Sequence, residues 1–208
     1  MNENGQDLET NTDFRLATRE EVIDALGEKR DLSDADLHGI DLNGLRLTGM
    51  RLQNANLSGA QMDGVTIVGS ELGGADLSGV SMAGAWIAGT NLHTASLRSA
   101  TLTGTRMSGV NLAEADLTGA DFNDGLLLGV NVAGADFSGV TTENARAAGV
   151  DWSKAKAAPD ELPAGLPGPP PWVPALILAV LALLVILFLR GRKNKAGEDI
   201  QPEEEAMD

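Results

Sequence analysis

Residues 75–89 read ADLSGVSMAGAWIAG, and this stretch decides the fold. Cut in fives it gives 75–79, 80–84 and 85–89, each with an apolar third residue and a glycine fifth. The frame runs outward in both directions, from Arg30 to the first proline at Pro159, through 26 blocks without an insertion. The third residue is Leu, Ile, Met, Val or Phe in each of the 22 blocks from Leu32 to Phe137. A period of five matches neither the roughly 3.6-residue turn of a helix nor the alternation of a flat strand, so each block is one unit of a winding chain. First residues are small or apolar, as at Ala35, Ala55, Ala75, Ala95, Ala115 and Ala135, whereas second, fourth and fifth residues are mostly Asp, Asn, Ser, Thr and Gly. A large inward residue beside a small one describes a narrow tube with short extended walls. Of the 25 glycines, 17 fall at the fifth position, the corner where a residue without Cβ turns most easily.

Every fourth block stacks in register. The series from Ala35 keeps Ala first while the other three vary, which predicts four walls per coil of twenty residues. The blocks ADLSG at 75–79 and ADLTG at 115–119 resemble the repeat of the pentapeptide-repeat family. The resemblance implies an all-β solenoid, a right-handed quadrilateral β-helix with first and third residues inside. Some 6.5 coils at β-strand spacing give a rod on the order of 30 Å tall.

The chain is expected to divide into 1–29, a disordered acidic segment and capping helix; 30–158, the repeats; 159–171, a proline-rich linker; 172–190, a transmembrane helix; and 191–208, a charged tail. The short helix has Thr18 as a cap, Glu21 at the capping-box position and Gly27 at its end, with Val22, Ile23 and Leu26 on one side. It is expected to lie over the open end of the first coil. At the far end Trp152 is placed to plug the core. All eight prolines follow Ala158, so 159–171 is expected to leave the hydrogen-bonded ladder as an extended spacer. Residues 173–189, VPALILAVLALLVILFL, carry no charge. With Trp172 they span about 27 Å as a helix, enough for a bilayer core. Trp172 flanks one side and Arg190, Arg192, Lys193 and Lys195 the other, which predicts a single-pass membrane protein. The basic flank argues for a cytoplasmic tail. A tail anchor instead spares the repeat domain from crossing, and on that ground a cytoplasmic repeat domain is preferred.

The net charge of −15 is unevenly spread. Residues 30–158 hold 14 acids and 8 bases, or −6, and the rest lies in the end segments. Cysteine is absent, which removes disulfides, thiol nucleophiles and thiolate metal sites. His38 and His93 fall on different walls, nearly three coils apart, and cannot share a metal. No Ser or Thr has a base at a plausible repeat offset. The row Asp36, Asp76, Asp116, Asp136, interrupted by Asn56 and Ser96, lies on a flat wall with no cleft. The GGADL stretch from Gly73 looks superficially like a calcium β-roll, whose nine-residue period is not present. No catalytic residue, metal, cofactor, nucleic acid or small-molecule substrate is therefore expected.

One wall departs from the rest. The stack from Leu45 puts Arg46, Thr66, Trp86, Arg106, Leu126 and Arg146 second, and Thr48, Val68, Ala88, Ser108, Leu128 and Ala148 fourth. Trp86, Val68, Leu126 and Leu128 would form an apolar strip with three arginines along it and no acid. Aromatic and Arg residues are enriched at protein interfaces. The expected function is a membrane-anchored, noncatalytic protein–protein interaction scaffold or spacer, with an unidentified protein partner. The alternative is the family's quinolone-resistance branch, whose members mimic DNA and bind topoisomerases. This chain departs from that branch in its weakly charged rod and membrane-bound C-terminal end.

Overall fold

The computed structural model describes residues 19–28 and 30–166. The expected membrane span at 172–190, the tail at 191–208 and the first eighteen residues lie outside them. Among the described residues no helix is long and apolar enough to cross a membrane.

Helix α1 spans Arg19–Glu28. It is followed by strands β1 (Arg46–Thr48), β2 (Thr66–Val68), β3 (Trp86–Ala88), β4 (Arg106–Ser108), β5 (Leu126–Leu128), β6 (Arg146–Ala148) and β7 (Ala164–Gly165). A 3-10 turn at Trp152–Lys154 lies between β6 and β7. The seven strands form one parallel sheet in chain order. Through β6 each residue pairs with the one twenty positions on, as Arg46 with Thr66 and Trp86 with Arg106. Three further ladders of parallel bridges run beside the sheet, through Asp31 and Arg51, Asp36 and Asn56, and Asp41 and Gln61. The coil is therefore four-walled: three bridge walls, numbered one to three after these ladders, and a fourth made by β1–β7.

The inside–outside pattern follows the five-residue frame. First and third residues are buried from Leu32 to Ala145, apart from half-exposed Leu45 and the polar Thr142. One continuous apolar file results, thickened by Phe122 and Phe137, whose ring centres lie 6.4 Å apart. All 17 corner glycines have positive φ, and so do Asp34, Asn54, Thr94, Ser99, Glu114, Asp124 and Asn144 at the remaining corners. The left-handed corner is thus set by the coil, and glycine is its least strained occupant. At Gly74 (φ +70°) the need is also steric, because a Cβ there would sit 2.6 Å from Asn54 Oδ1.

Three expectations need correction at the ends. In α1, Val22 joins the core but Ile23 is 44% exposed, so the two do not share a face. Arg19 ties the helix to wall three by donating to the carbonyls of Asp41 and Asn43 at 3.2 and 2.9 Å. The frame of five, unbroken in sequence, slips by one residue in the last coil. Gly134 N–H reaches Lys154 O, and Asp136 bridges Ala157, twenty-one positions away. The cause is the 3-10 turn, capped by the Asp151 side chain on Ser153 N–H, which sets Trp152 edge-on to Phe137 at 5.2 Å. An indole is too large for the usual third position, and the chain takes an extra residue to seat it. Finally, 159–166 is not only a spacer. Pro159 and Pro163 are buried, and Ala164 N–H donates to Ala145 O at 3.0 Å as β7 adds to β6. The prolines fill inward positions, while the bond to β6 comes from the alanine that follows.

Candidate interaction face

Walls one to three spend their side chains on their own construction. The carboxylate or amide at the second position accepts the backbone N–H two residues on: Asp36 from His38, Asp41 from Asn43, Asp116 from Thr118, each at 2.9–3.1 Å. This Asx turn shapes the corner. On wall one Asn131, Asn111 and Asn91 pass amide hydrogen bonds down a ladder at 2.9 and 3.0 Å, ending on Glu71 Oε2 at 2.9 Å. Cations on these walls are paired as well, Arg98 with Asp116 at 2.7 Å, Lys156 with Asp136 at 2.9 Å and Arg51 with Asp31 at 3.6 Å. Asp136, hydrogen-bonded by Ser138 and then by Lys156, is held down at about 2.

The fourth wall is built differently. Its strands make three-residue backbone pairings and need no side-chain bracket. Its second positions are accordingly free of Asx residues. Arg46, Arg106 and Arg146 are exposed, Trp86 is 53% exposed, and Thr66, Val68, Leu126 and Leu128 are half-buried. The structure places Arg46, Val68, Trp86, Arg106, Leu126, Leu128 and Arg146 on one wall. No hydrogen bond or ion pair to these three guanidiniums occurs among the described residues. Arg146 borders a shallow hollow of 440 Å³ shared with Glu161 and Leu162.

Sequence reasoning missed one polar device beneath this wall. Ser70 is fully buried, accepts from Met50 N–H at 3.1 Å and donates to Leu47 O at 2.8 Å. At the corners after walls one to three the first residue closes that turn itself, as Ala35 N–H does on Leu32 O at 3.2 Å. The hydroxyl from the next coil thus completes the turn leaving β1. A Ser among Ala and Val at the first position was the available signal.

His38 Nδ1 lies 2.9 Å from Ser58 Oγ on wall two, and His93 Nδ1 lies 2.9 Å from Ala113 O on wall one. Among the described residues no group of His, Asp and Glu is placed to hold a metal ion.

A search of curated proteins finds no match. Among solved structures, the chain is similar to trypsin-treated QnrB1, a plasmid-mediated fluoroquinolone resistance protein. The TM-score is 0.55 at 21% identity over 61% of this chain and 67% of that one, a likeness of fold. HetL, involved in heterocyst differentiation regulation in the cyanobacterium Nostoc, aligns at 27% identity over 62% of this chain and 68% of its own, with a TM-score of 0.45. The profile of pentapeptide repeats matches in eight copies over residues 31–67, 75–113 and 107–141. With half of its length matched and a four-walled coil of twenty residues, the chain belongs to the pentapeptide-repeat family.

Proposed function

We propose that this protein is a noncatalytic, membrane-tethered interaction scaffold whose rod presents the β1–β7 wall to a protein partner. One observation carries the reading: on a rod of net charge −6, three guanidiniums without ionic partners among the described residues share a single wall with an exposed indole. A surface arginine with no acid beside it adds little to folding, whereas Arg and Trp are the residues that anchor interfaces. The tether rests on the uncharged stretch at 173–189 with its Trp172 and basic flanks. We place the rod on the cytoplasmic side, the arrangement that does not carry the repeat domain across the bilayer. Protease treatment of sealed vesicles carrying chains tagged at both ends tests this, and loss of the N-terminal tag would refute it.

The scaffold role is tested by crosslinked partner capture with the full chain. Replacing Trp86 and Arg106 together by alanine is expected to abolish capture while thermal unfolding stays the same. Capture that survives would remove this wall from the function. Topoisomerase binding by DNA mimicry is not favoured. The likeness to QnrB1 extends to the fold, and a wall carrying three cations and no acid is unlike a DNA surface.

A further inference from the structure

We propose that the β1–β7 wall receives a linear acidic segment of its partner, laid along the rod axis, with carboxylates toward both ends and apolar residues between them. This rests on the reading of that wall as the docking surface and specifies what docks there.

Charge fixes the sign of the ligand. At the outward second and fourth positions of the first six coils, the β1–β7 wall has three arginines and no acid, +3. Wall two opposite has four acids and one arginine, −3; wall three has four acids, −4; wall one has two acids and one arginine, −1. The only concentrated positive charge on the repeats is thus confined to one strip.

Dimensions fix the shape. Five coil steps separate Arg46 from Arg146, about 24 Å at parallel-strand spacing, and a three-residue strand is about 10 Å long. That strip offers far less than the about 800 Å² per partner of a standard globular interface. One helix, about 10 Å wide, or one extended segment covers it fully. Broader polyanions fit worse. A bilayer surface or a nucleic-acid duplex is wider than this strip and would also face the acids of the adjoining wall and corner, Asp121, Asp124 and Glu143, which repel it. A narrow peptide stays on the strip. Three coils separate Arg46 from Arg106 and two separate Arg106 from Arg146, so their carboxylate partners stand about 14 and 10 Å apart. In the gaps lie Val68, Trp86, Leu126 and Leu128, which take the apolar residues.

The experiment is a selection of random sixteen-residue displayed peptides on the full chain in neutral phosphatidylcholine nanodiscs, beside the R46E/R106E double variant. An acidic chain attracts basic peptides nonspecifically, so an acidic class with central apolar residues identifies this wall. That class is expected with the native chain and not with the variant. A peptide from it should bind the variant at least about tenfold more weakly and lose affinity as salt rises. Phosphatidylserine vesicles and a short DNA duplex serve as competitors. Absence of the acidic class, its equal recovery on the variant, or its displacement by vesicles or duplex that themselves bind through Arg46 and Arg106, would each overturn the proposal. If partner capture depends on Trp86 and Arg106 and no acidic peptide is selected, the peptide class falls and the docking wall stands. If capture is indifferent to both residues, the wall falls too.

Discussion

Walls one to three and the β1–β7 wall enclose the same core with the same coil, yet they use their outward residues in opposite ways. On the first three, Asp and Asn side chains bracket the corners, join neighbouring coils and bind the nearby cations. On the fourth the backbone pairing suffices, and the side chains are left over. A repeat protein can thus leave the side chains of one wall uncommitted while the others maintain the fold. The difference also says where a mutation should be felt as stability and where as binding.

The sharpest contrast is between two corner glycines. Gly74→Ala adds a Cβ 2.6 Å from Asn54 Oδ1 to the left-handed penalty, whereas Gly89→Ala, in the corner after β3, meets nothing within 4 Å. Chemical denaturation should show a loss of about 2 kcal/mol for the first and about 1 kcal/mol for the second. Equal losses would mean that the corners are built alike. Next comes the amide ladder. Asn111→Ala removes the bonds to Asn91, Asn131 and the Ala113 N–H, and a loss of about 1 kcal/mol is expected from the same measurement. Acid titration follows. Asp136 is lowered from 3.8 to about 2 by Ser138 and Lys156. A depressed carboxylate stabilises the fold above its unfolded value, and that contribution disappears as pH falls from 3.8 toward about 2. Asp136→Asn should flatten the stability profile across that window, and an unchanged profile would show that the carboxylate bonds are not formed in solution. The smallest effect on stability belongs to the fourth wall. Arg106→Ala should change unfolding free energy by less than about 0.5 kcal/mol, since no partner is lost. A larger change would blur the division between walls.

The parts of the fold that repeat were legible in the sequence, because each inward residue and corner is sampled again twenty positions later. The four walls, the inward Ala and Leu, and the outward row from Arg46 to Arg146 all follow from that redundancy. What was not legible occurs once. Trp152 displaces the frame by a residue because its indole does not fit where Leu does, and no second copy announces it. The buried Pro159 and Pro163 were read through the missing N–H alone, although an inward position needs only an apolar ring. Ser70 serves the coil before its own, a relation visible only once the coils are stacked. The membership of the β1–β7 wall was readable, but its lack of ionic partners among the described residues required the positions of all neighbouring acids.

The twenty-residue spacing that the ladder keeps until its last coil has a mechanical consequence. Each coil is bonded only to the coils before and after it, and no bond spans the rod. Tension applied beyond Leu166 would therefore load β7 and the last coil first, leaving those nearer α1 intact. The chain would pay out one coil at a time, releasing about 65 Å of extended polypeptide per step. Such a rod behaves as a ratcheted extension spring, yielding in equal increments from the end at which it is pulled.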